Sequence, residues 1–162
     1  MRLALYQPDI PQNTGTILRM AACLGVGVDV IGPAGFDMTD RSLRRAALDY
    51  LDQVELVRHV DWAAFDTARR LSGSRLIVAS THAAVAHVAA TYQTSDVILL
   101  GRESAGVPDH VHAAAGLRVR IPIAEGLRSL NIAVAGAIIL GEALRQTGGF
   151  RTASSAPLAN PA

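Results

Sequence analysis

The chain has 162 residues, of which 50% are hydrophobic and 18% are charged, and this composition excludes an intrinsically disordered protein. All 15 cationic residues are arginines against 14 acidic residues; arginine suits phosphate binding, although a compositional bias of the genome is the simpler explanation. This length fits one domain, which we expect over residues 1–147, followed by a flexible tail rich in Gly, Ala, Ser and Pro over residues 148–162.

The amino-terminal half of the chain predicts strands alternating with helices. A strand over residues 2–7 precedes a helix that begins near Asn13, a natural N-cap, and ends at Gly25. Further along, the pattern predicts a strand over 26–31, a short helix over 40–48, a short strand over 54–57, and a helix over 61–71 that is capped by Asp61 and buries Trp62 and Phe65.

The carboxyl-terminal half contains short apolar runs separated by helical or loop segments, which is typical of parallel strands covered on both faces. These strands are predicted over residues 76–80, 97–100 and 117–121. A final helix over about 130–146 is apolar nearly all round, with Ala133, Ala137 and Gly141 at four-residue steps. We therefore expect an α/β fold, a mostly parallel sheet flanked by helices, with a buried last helix whose small residues pack closely.

Several classes of site and location are disfavoured. The chain contains neither a Walker phosphate loop nor an H-E-x-x-H helix, and His110 and His112 lack a third ligand nearby, so no metal is predicted. The single cysteine, Cys23, excludes an intrachain disulfide and favours a reducing compartment. Because no signal peptide and no apolar stretch of about 20 residues is evident, we expect a cytoplasmic protein without membrane association.

Three polar segments follow predicted strands, at the edge where open α/β sheets place their ligands. They are residues 13–19, which contain Asn13 and Arg19, the glycine-flanked loop 101–108 around Glu103, and residues 121–131, which contain Ser129 and Asn131. Each segment alone has a structural interpretation: Asn13 and Ser129 suit helix caps, and the loop suits an ordinary strand-to-helix connection. Asn131 is harder to explain, because an amide within an apolar helix needs a hydrogen-bond partner.

In this order, the segments resemble the SPOUT RNA methyltransferases, and among them the small tRNA wobble-nucleotide 2′-O-methyltransferases. The resemblance spans about residues 1–147. It is carried by the start LALYQPDIPQNTGTILR, by LRRAALDY at residues 43–50, by the loop GRESAGVP, and by RIPIAEGLRSLN before the final helix. Each piece alone is common, whereas the ordered combination is specific.

The resemblance implies a fold and a cofactor that the residues alone do not. It implies a deep carboxyl-terminal trefoil knot, a homodimer with composite active sites, and S-adenosylmethionine as the methyl donor. The cofactor would lie against Ala79, Gly101, Ile121 and Ser129, where backbone groups read the adenine. General folding rules would have given a plain doubly wound sheet, because knots are nearly absent from proteins.

The resemblance also implies which residues act in catalysis: Arg19, Ser129, Asn131, Glu103 and Asn13. A guanidinium with a pKa above about 12 is a poor base. We therefore expect Arg19 to stabilise the developing alkoxide, while Ser129 and Asn131 orient the ribose hydroxyl and Glu103 positions the loops or the substrate.

Contacts to RNA are expected from arginines. Arg41, Arg44 and Arg45 lie at i, i+3 and i+4 of a predicted helix and form one basic face, which is either a solvated surface or a clamp for the tRNA anticodon stem-loop. Arg128 joins them in the last loop. The chain departs from the family at Arg102, where a proline is common, and at Ala105, where an arginine is common, so that this cation has moved along the loop.

Two other functions remain open at this stage. One is a knotted methyltransferase that acts on another tRNA position or on ribosomal RNA, although such enzymes often add an amino-terminal RNA-binding domain. The other is a non-catalytic RNA-binding module of the same fold. The presence of Arg19, Glu103, Ser129 and Asn131 argues against the second.

Overall fold

A parallel β-sheet forms the centre of the computed structural model, which describes residues 1–37 and 41–150 without the side chains of residues 42, 44, 48 and 49. Its strands are β1 Arg2–Tyr6, β2 Gly27–Ile31, β3 Leu56–His59, β4 Leu76–Ala79, β5 Val85–Ala86, β6 Val97–Leu100 and β7 Leu117–Arg120. They lie in the order β3-β2-β1-β6-β4-β7-β5, and every pair is parallel. The predicted α/β class with a parallel sheet is confirmed.

Helices cover both faces of the sheet. They are α1 Pro11–Leu24, α2 Arg41–Ala47, α3 Trp62–Leu71, α4 Asp109–Ala114 and α5 Ile132–Thr147, with 3-10 helices at Leu48–Gln53 and His87–Ala89. Two predicted helix boundaries are confirmed: Asp61 accepts a hydrogen bond from the Ala64 N–H at the start of α3, and Gly25 ends α1 in the left-handed conformation. None of the described helices is long and apolar enough to cross a membrane.

One strand and two helix caps differ from the sequence-based expectation. The strand predicted at 54–57 begins two residues later, because the 3-10 helix extends to Gln53. Helix α1 begins at Pro11 and its N-cap is Ile10, so Asn13 lies within the first turn and does not cap the helix. At α5 the N-cap is Asn131, whose side chain accepts from the N–H groups of Ala133 and Val134, and not Ser129.

The last helix is also less buried than its composition predicts. Val134 and Ile138 are 49% and 37% exposed, and Ala137 is exposed beside them. Of the small residues predicted to pack closely, Ala133 is buried in the core, whereas a Cβ on Gly141 would meet nothing within 4 Å. Close packing also occurs at Gly136, where a Cβ would come within 2.8 Å of Leu100 Cδ1. Helix α5 thus buries one face and leaves an apolar face uncovered in the described part of the chain.

Side chains alternate between the two faces of the sheet along each strand. Leu3, Leu5 and Ile98 pack on the side of α1 and α5, while Ala4 and Leu99 pack on the opposite side with Phe65 of α3 and Val111 of α4. On the first side, α2 packs against α1 at Gly15, where a Cβ would lie 2.6 Å from Ala46 Cβ. Glycine at this position therefore lets the arginine-bearing helix α2 approach α1.

Of the tail expected over 148–162, residues 151–162 lie outside the described residues.

Charged pairs join strands at the amino end of the sheet. Asp96, just before β6, is 0% exposed and accepts hydrogen bonds from Arg75 Nε at 2.9 Å and Nη2 at 2.8 Å, and from the Gln93 N–H at 2.7 Å. The backbone N–H of Arg2 donates to the Asp96 carbonyl. The carboxylate at Asp96 raises the pKa of Arg75 above its ordinary value, so this buried pair remains ionised on the arginine side.

Candidate active site

The carboxyl ends of three adjacent strands bring the predicted cofactor-binding positions together. Ala79 ends β4, Gly101 follows β6 and Ile121 follows β7, and the sheet order places β4 between the other two strands. The register pairs Ala79 with Val119 and so aligns these strand ends. Residues that are 20 or more positions apart in sequence therefore line one edge of the sheet, as expected of an open α/β fold.

The loop after β6 is a tight turn that its glycines permit. Arg102 and Gly106 exchange two backbone hydrogen bonds of 2.8 and 2.7 Å. Gly106 has a φ of +66°, and a Cβ on Gly101 would lie 2.8 Å from the Gly106 carbonyl carbon. Only glycine fits both positions without displacing the backbone. The turn projects Glu103 toward α1.

Asn13 links Glu103 to Asn131, so that three of the predicted catalytic residues form one hydrogen-bonded chain. One carboxylate oxygen of Glu103 accepts from Asn13 Nδ2 at 3.2 Å, and the other accepts from the Asp9 N–H at 2.9 Å. Asn131 Nδ2 donates to Asn13 Oδ1 at 3.0 Å, while its own Oδ1 caps α5. The amide of Asn131 therefore has its partner at the helix end, and it is exposed there instead of buried within the helix. We call Glu103, Asn13 and Asn131 the polar network.

A second contact beside the polar network was not foreseen. Arg102 Nε donates to Asp9 Oδ1 at 2.6 Å, and the other Asp9 oxygen accepts from the backbone N–H and the hydroxyl of Ser104. Hydrogen bonds from Ser104 and Arg102 hold the pKa of Asp9 below its ordinary value. The two partners are 93 positions apart, so no local sequence signal joins them. What the sequence does offer is an acidic residue directly after β1 and a cation directly after β6, two strands that pair.

Arg19 lies away from the polar network within one chain. It is six residues beyond Asn13 on α1, about 9 Å along the helix axis, and its guanidinium lies over the Tyr50 ring at 5.4 Å from the centroid. Ser129 is exposed and makes no hydrogen bond within the described part of the chain. The structure therefore groups Asn13, Glu103 and Asn131 but leaves Arg19 on an outer surface.

The arginines predicted to bind RNA are on the surface where they are described. Arg41 and Arg45 are exposed on α2, and Arg128 is exposed in the loop that precedes α5. The side chain of Arg44 lies outside the described residues. Their role in RNA binding stays a prediction.

The backbone of the loop between β7 and α5 offers hydrogen-bonding groups that suit a nucleoside-like cofactor. Between Pro122 and Leu130, the described structure contains one backbone hydrogen bond, from the Leu127 N–H to the Ala124 carbonyl at 3.3 Å. The remaining N–H and C=O groups are free to bind a ligand, and backbone groups of this kind can read the edge of an adenine ring. This donor set suits S-adenosylmethionine without a glycine-rich dinucleotide motif.

Known proteins match most of the length of this chain. The model of the SpoU rRNA Methylase family matches residues 1–141. A protein of Ancylobacter novellus named tRNA (cytidine(34)-2′-O)-methyltransferase is 56% identical over 150 residues, which cover 93% of this chain and 95% of that protein. The Escherichia coli K12 protein of the same name is 38% identical over 91% of this chain and 94% of its own length.

Solved structures agree with the sequence comparison. A structure from work on the 2-OH methylation of C/U34 on tRNA superimposes with a TM-score of 0.85 and 40% identity, covering 90% of this chain and 94% of that one. The SpoU methyltransferase AviRb of Streptomyces viridochromogenes, in complex with the cofactor AdoMet, superimposes with a TM-score of 0.82 and 30% identity, covering 60% of that chain. With a family match over 141 of 162 residues and relatives matched almost end to end, this chain belongs to the SpoU methylase family.

Proposed function

We propose that this protein transfers the methyl group of S-adenosylmethionine to the ribose 2′-hydroxyl of nucleotide 34, C or U, in the anticodon loop of tRNA. The observation that carries the proposal is the polar network, which lies at the carboxyl end of the same sheet as Ala79, Gly101 and Ile121. A methyl donor at these strand ends and a ribose at the polar network would be neighbours. Because tRNA is the proposed substrate, the protein would work in the cytoplasm.

The extent of the matches favours position 34 over a ribosomal substrate. The relatives named for C34 are covered over 94–95% of their length, as is the structure concerned with C/U34. The AdoMet-bound rRNA methyltransferase of Sinorhizobium meliloti also superimposes, but this chain covers only 55% of it. This chain therefore matches the wobble enzymes over nearly their whole length as well as in sequence.

The chemistry requires little beyond positioning and charge. When bound, the cofactor would supply an electrophilic methyl group: the S–CH3 bond would break as the 2′-oxygen forms the O–CH3 bond, S-adenosylhomocysteine would leave, and the hydroxyl proton would pass to solvent. One N–H of the Asn131 amide is bound to Asn13, and the second N–H is free to hold the ribose hydroxyl together with Ser129. Holding the reacting atoms in line contributes up to about 7–11 kcal/mol in well-oriented systems. Arg19 stabilises the negative charge that develops on the 2′-oxygen as its proton leaves.

Arg19 would reach this chemistry from a second copy of the chain. Within one protomer it lies about 9 Å from Asn13 along α1. Leu130, just before α5, and Val134 and Ile138 on α5 are 41%, 49% and 37% exposed and form an apolar stripe that the same stripe of a second copy would cover. In this arrangement each active site combines the polar network of one protomer with Arg19 of its partner.

Mixing two inactive variants tests the composite site. Arg19→Ala and Asn131→Ala homodimers should each lose activity, but dissociating and reassociating them in equal amounts should restore about a quarter of wild-type activity. Half of the dimers would then be mixed, and each mixed dimer has one complete site of two. Mixtures that stay inactive, although mass spectrometry shows mixed dimers, would mean that Arg19 and Asn131 of the same protomer act together and would refute the composite site.

The substrate assignment is tested by locating the methyl group. The protein is incubated with methyl-labelled S-adenosylmethionine and total tRNA from a strain that lacks the gene, and the labelled nucleotide is mapped. The proposal predicts 2′-O-methylation at nucleotide 34. Label on a base, at another tRNA position or on ribosomal RNA alone would contradict it, and tRNA binding without any transfer would indicate a non-catalytic module.

A further inference from the structure

We propose that Arg102 binds a phosphate of the RNA substrate, with Asp9 holding its guanidinium in place. The inference rests on the proposed function and identifies how this site would hold the RNA backbone next to the reacting ribose. Its basis is which donors and acceptors around the loop 101–106 are already bound and which are free.

Both carboxylates beside Arg102 have each of their oxygens bound. Asp9 Oδ1 accepts from Arg102, and Asp9 Oδ2 accepts from the N–H and hydroxyl of Ser104. Glu103 Oε1 accepts from Asn13, and its Oε2 accepts from the Asp9 N–H. The negative charges are therefore directed into the loop and toward α1, where protein donors compensate them.

The guanidinium of Arg102 is bound on one side only. Its Nε is bound to Asp9, whereas neither Nη1 nor Nη2 has a hydrogen-bond partner among the residues that the structure describes. The side chain is 40% exposed and lines an open depression of about 480 Å³ together with Asp9, Ile10, Glu103 and Ser104. Four N–H donors on two nitrogens are thus unpaired, among the described residues, on a side chain that lines a space large enough for a phosphate group.

The pairing with Asp9 prepares Arg102 for an anion. Arginine loses rotamer freedom when it binds a ligand, and a side chain already fixed through Nε loses less of it. A planar guanidinium with both terminal nitrogens free matches two phosphate oxygens at once. Asp9 stays ionised because Ser104 and Arg102 hold its pKa low, so the ion pair between Asp9 and Arg102 persists at neutral pH.

The location indicates which anion is bound. Arg102 lies two residues after β6 and Asp9 three residues after the adjacent β1, so their ion pair spans the crevice between two paired strands at the edge that carries the polar network. In RNA, a ribose 2′-hydroxyl lies between the phosphates on either side of its nucleotide. An enzyme that fixes the hydroxyl at the polar network therefore gains affinity for the RNA from a cation that binds one of these two phosphates.

Salt-dependent binding of an unmodified tRNA distinguishes a phosphate contact from a purely structural one. Arg102→Gln should weaken binding about tenfold, as expected for one charge-assisted hydrogen-bonded contact, and should lower the slope of log Kd against log salt by about one. Arg102→Lys keeps the charge and should retain the slope with a smaller loss of affinity. Calorimetry with S-adenosylmethionine should show unchanged cofactor binding in both variants.

Arg70→Gln is the matched control, because Arg70 is also an exposed arginine paired with an aspartate, at the end of α3 near the amino edge of the sheet. It should leave both the affinity and the slope unchanged.

The inference is wrong if Arg102→Gln keeps wild-type affinity and slope. It is also wrong if Arg102→Gln and Arg102→Lys weaken binding equally with no change in slope, which would indicate that Arg102 only supports the structure of the loop. Wild-type methylation is measured in parallel: its absence would refute the proposed function, whereas normal methylation with an unaffected Arg102→Gln variant would refute this inference alone.

Discussion

Arg75 and Asp96 at the amino end of the sheet differ from Arg102 and Asp9 at the carboxyl end, although both are arginine–aspartate pairs that join neighbouring strands. Asp96 is fully buried, and Arg75 uses Nη2 both for Asp96 and for the Thr91 carbonyl. Arg102 is more exposed and keeps both terminal nitrogens free of partners among the described residues. The first pair uses Nε and Nη2 of its arginine within the fold, whereas the second uses Nε alone and keeps both terminal nitrogens available to a ligand.

The polar network follows the same division. Glu103 and Asn131 are both hydrogen-bonded to Asn13, yet Asn131 is exposed and keeps an N–H free. At the amino end, substitutions should therefore cost stability and spare activity per folded molecule, while at the carboxyl end they should cost activity and spare most of the stability.

The largest effect is expected from Arg19→Ala. Loss of a charge that stabilises the developing alkoxide should lower kcat by about 10²–10³-fold, which is typical of removing one oxyanion donor. The unfolding midpoint should stay close to that of wild type, because Arg19 is exposed. Steady-state kinetics with saturating cofactor and tRNA measure the change, and Arg70→Ala serves as the control. A variant with full turnover would remove Arg19 from the chemistry.

Asp96→Ala tests the opposite end of the sheet. Removing a buried carboxylate that accepts three hydrogen bonds should lower the free energy of unfolding by about 3 kcal/mol, since Arg75 and the Gln93 N–H lose their acceptor. Urea unfolding gives the loss, and methyl transfer per folded molecule at low temperature should match wild type. If activity fell while stability held, the division between the two ends would be wrong.

Two substitutions at Asn131 separate capping from catalysis. Asn131→Ala removes the cap of α5 and should cost about 1 kcal/mol of stability, together with activity. Asn131→Asp keeps a capping oxygen but loses the Nδ2 donor to Asn13, so stability should recover while activity stays low. Thermal unfolding and single-turnover methylation give the two readouts. Full activity in the Asp variant would show that the amide donor is dispensable.

The smallest effect is expected at Glu142, toward the end of α5. Hydrogen bonds from Arg145 and Gln146 lower the pKa of Glu142 from 4.5 to about 2. Because the folded-state pKa is depressed, the stabilisation is complete above pH 4.5 and is lost as the pH falls from 4.5 to about 2. Unfolding midpoints of wild type and Glu142→Gln should therefore converge over this range. Curves that stay parallel would mean that the carboxylate contributes nothing through its ionisation.

Local chemistry made much of the fold predictable. Asp61 and Gly25 mark helix ends because their conformations and hydrogen bonds depend on neighbouring residues only. The same reasoning failed at Asn13 and Ser129, which have suitable side chains for caps, because Pro11 starts α1 earlier and Asn131 takes the cap of α5. A residue type that can cap a helix does not reveal whether a nearby residue does so.

Contacts between residues far apart in the chain could not be predicted from the sequence. The ion pair between Asp9 and Arg102 depends on β1 pairing with β6, and strand order does not follow from the pattern of any one strand. The exposed apolar face of α5 could not be predicted either. An apolar helix has the same sequence pattern whether it is buried within its own chain or packs against a partner. The trefoil knot came from the family resemblance alone and stays a prediction.

A tRNA that lacks a single oxygen tests the central claim most directly. Two otherwise identical tRNAs, one with cytidine 34 and one with 2′-deoxycytidine 34, are compared as methyl acceptors at equal measured binding. The account predicts one methyl group per tRNA on the first and none on the second. Equal methylation of both would place the methyl group somewhere other than the 2′-oxygen of nucleotide 34 and would contradict the proposed function.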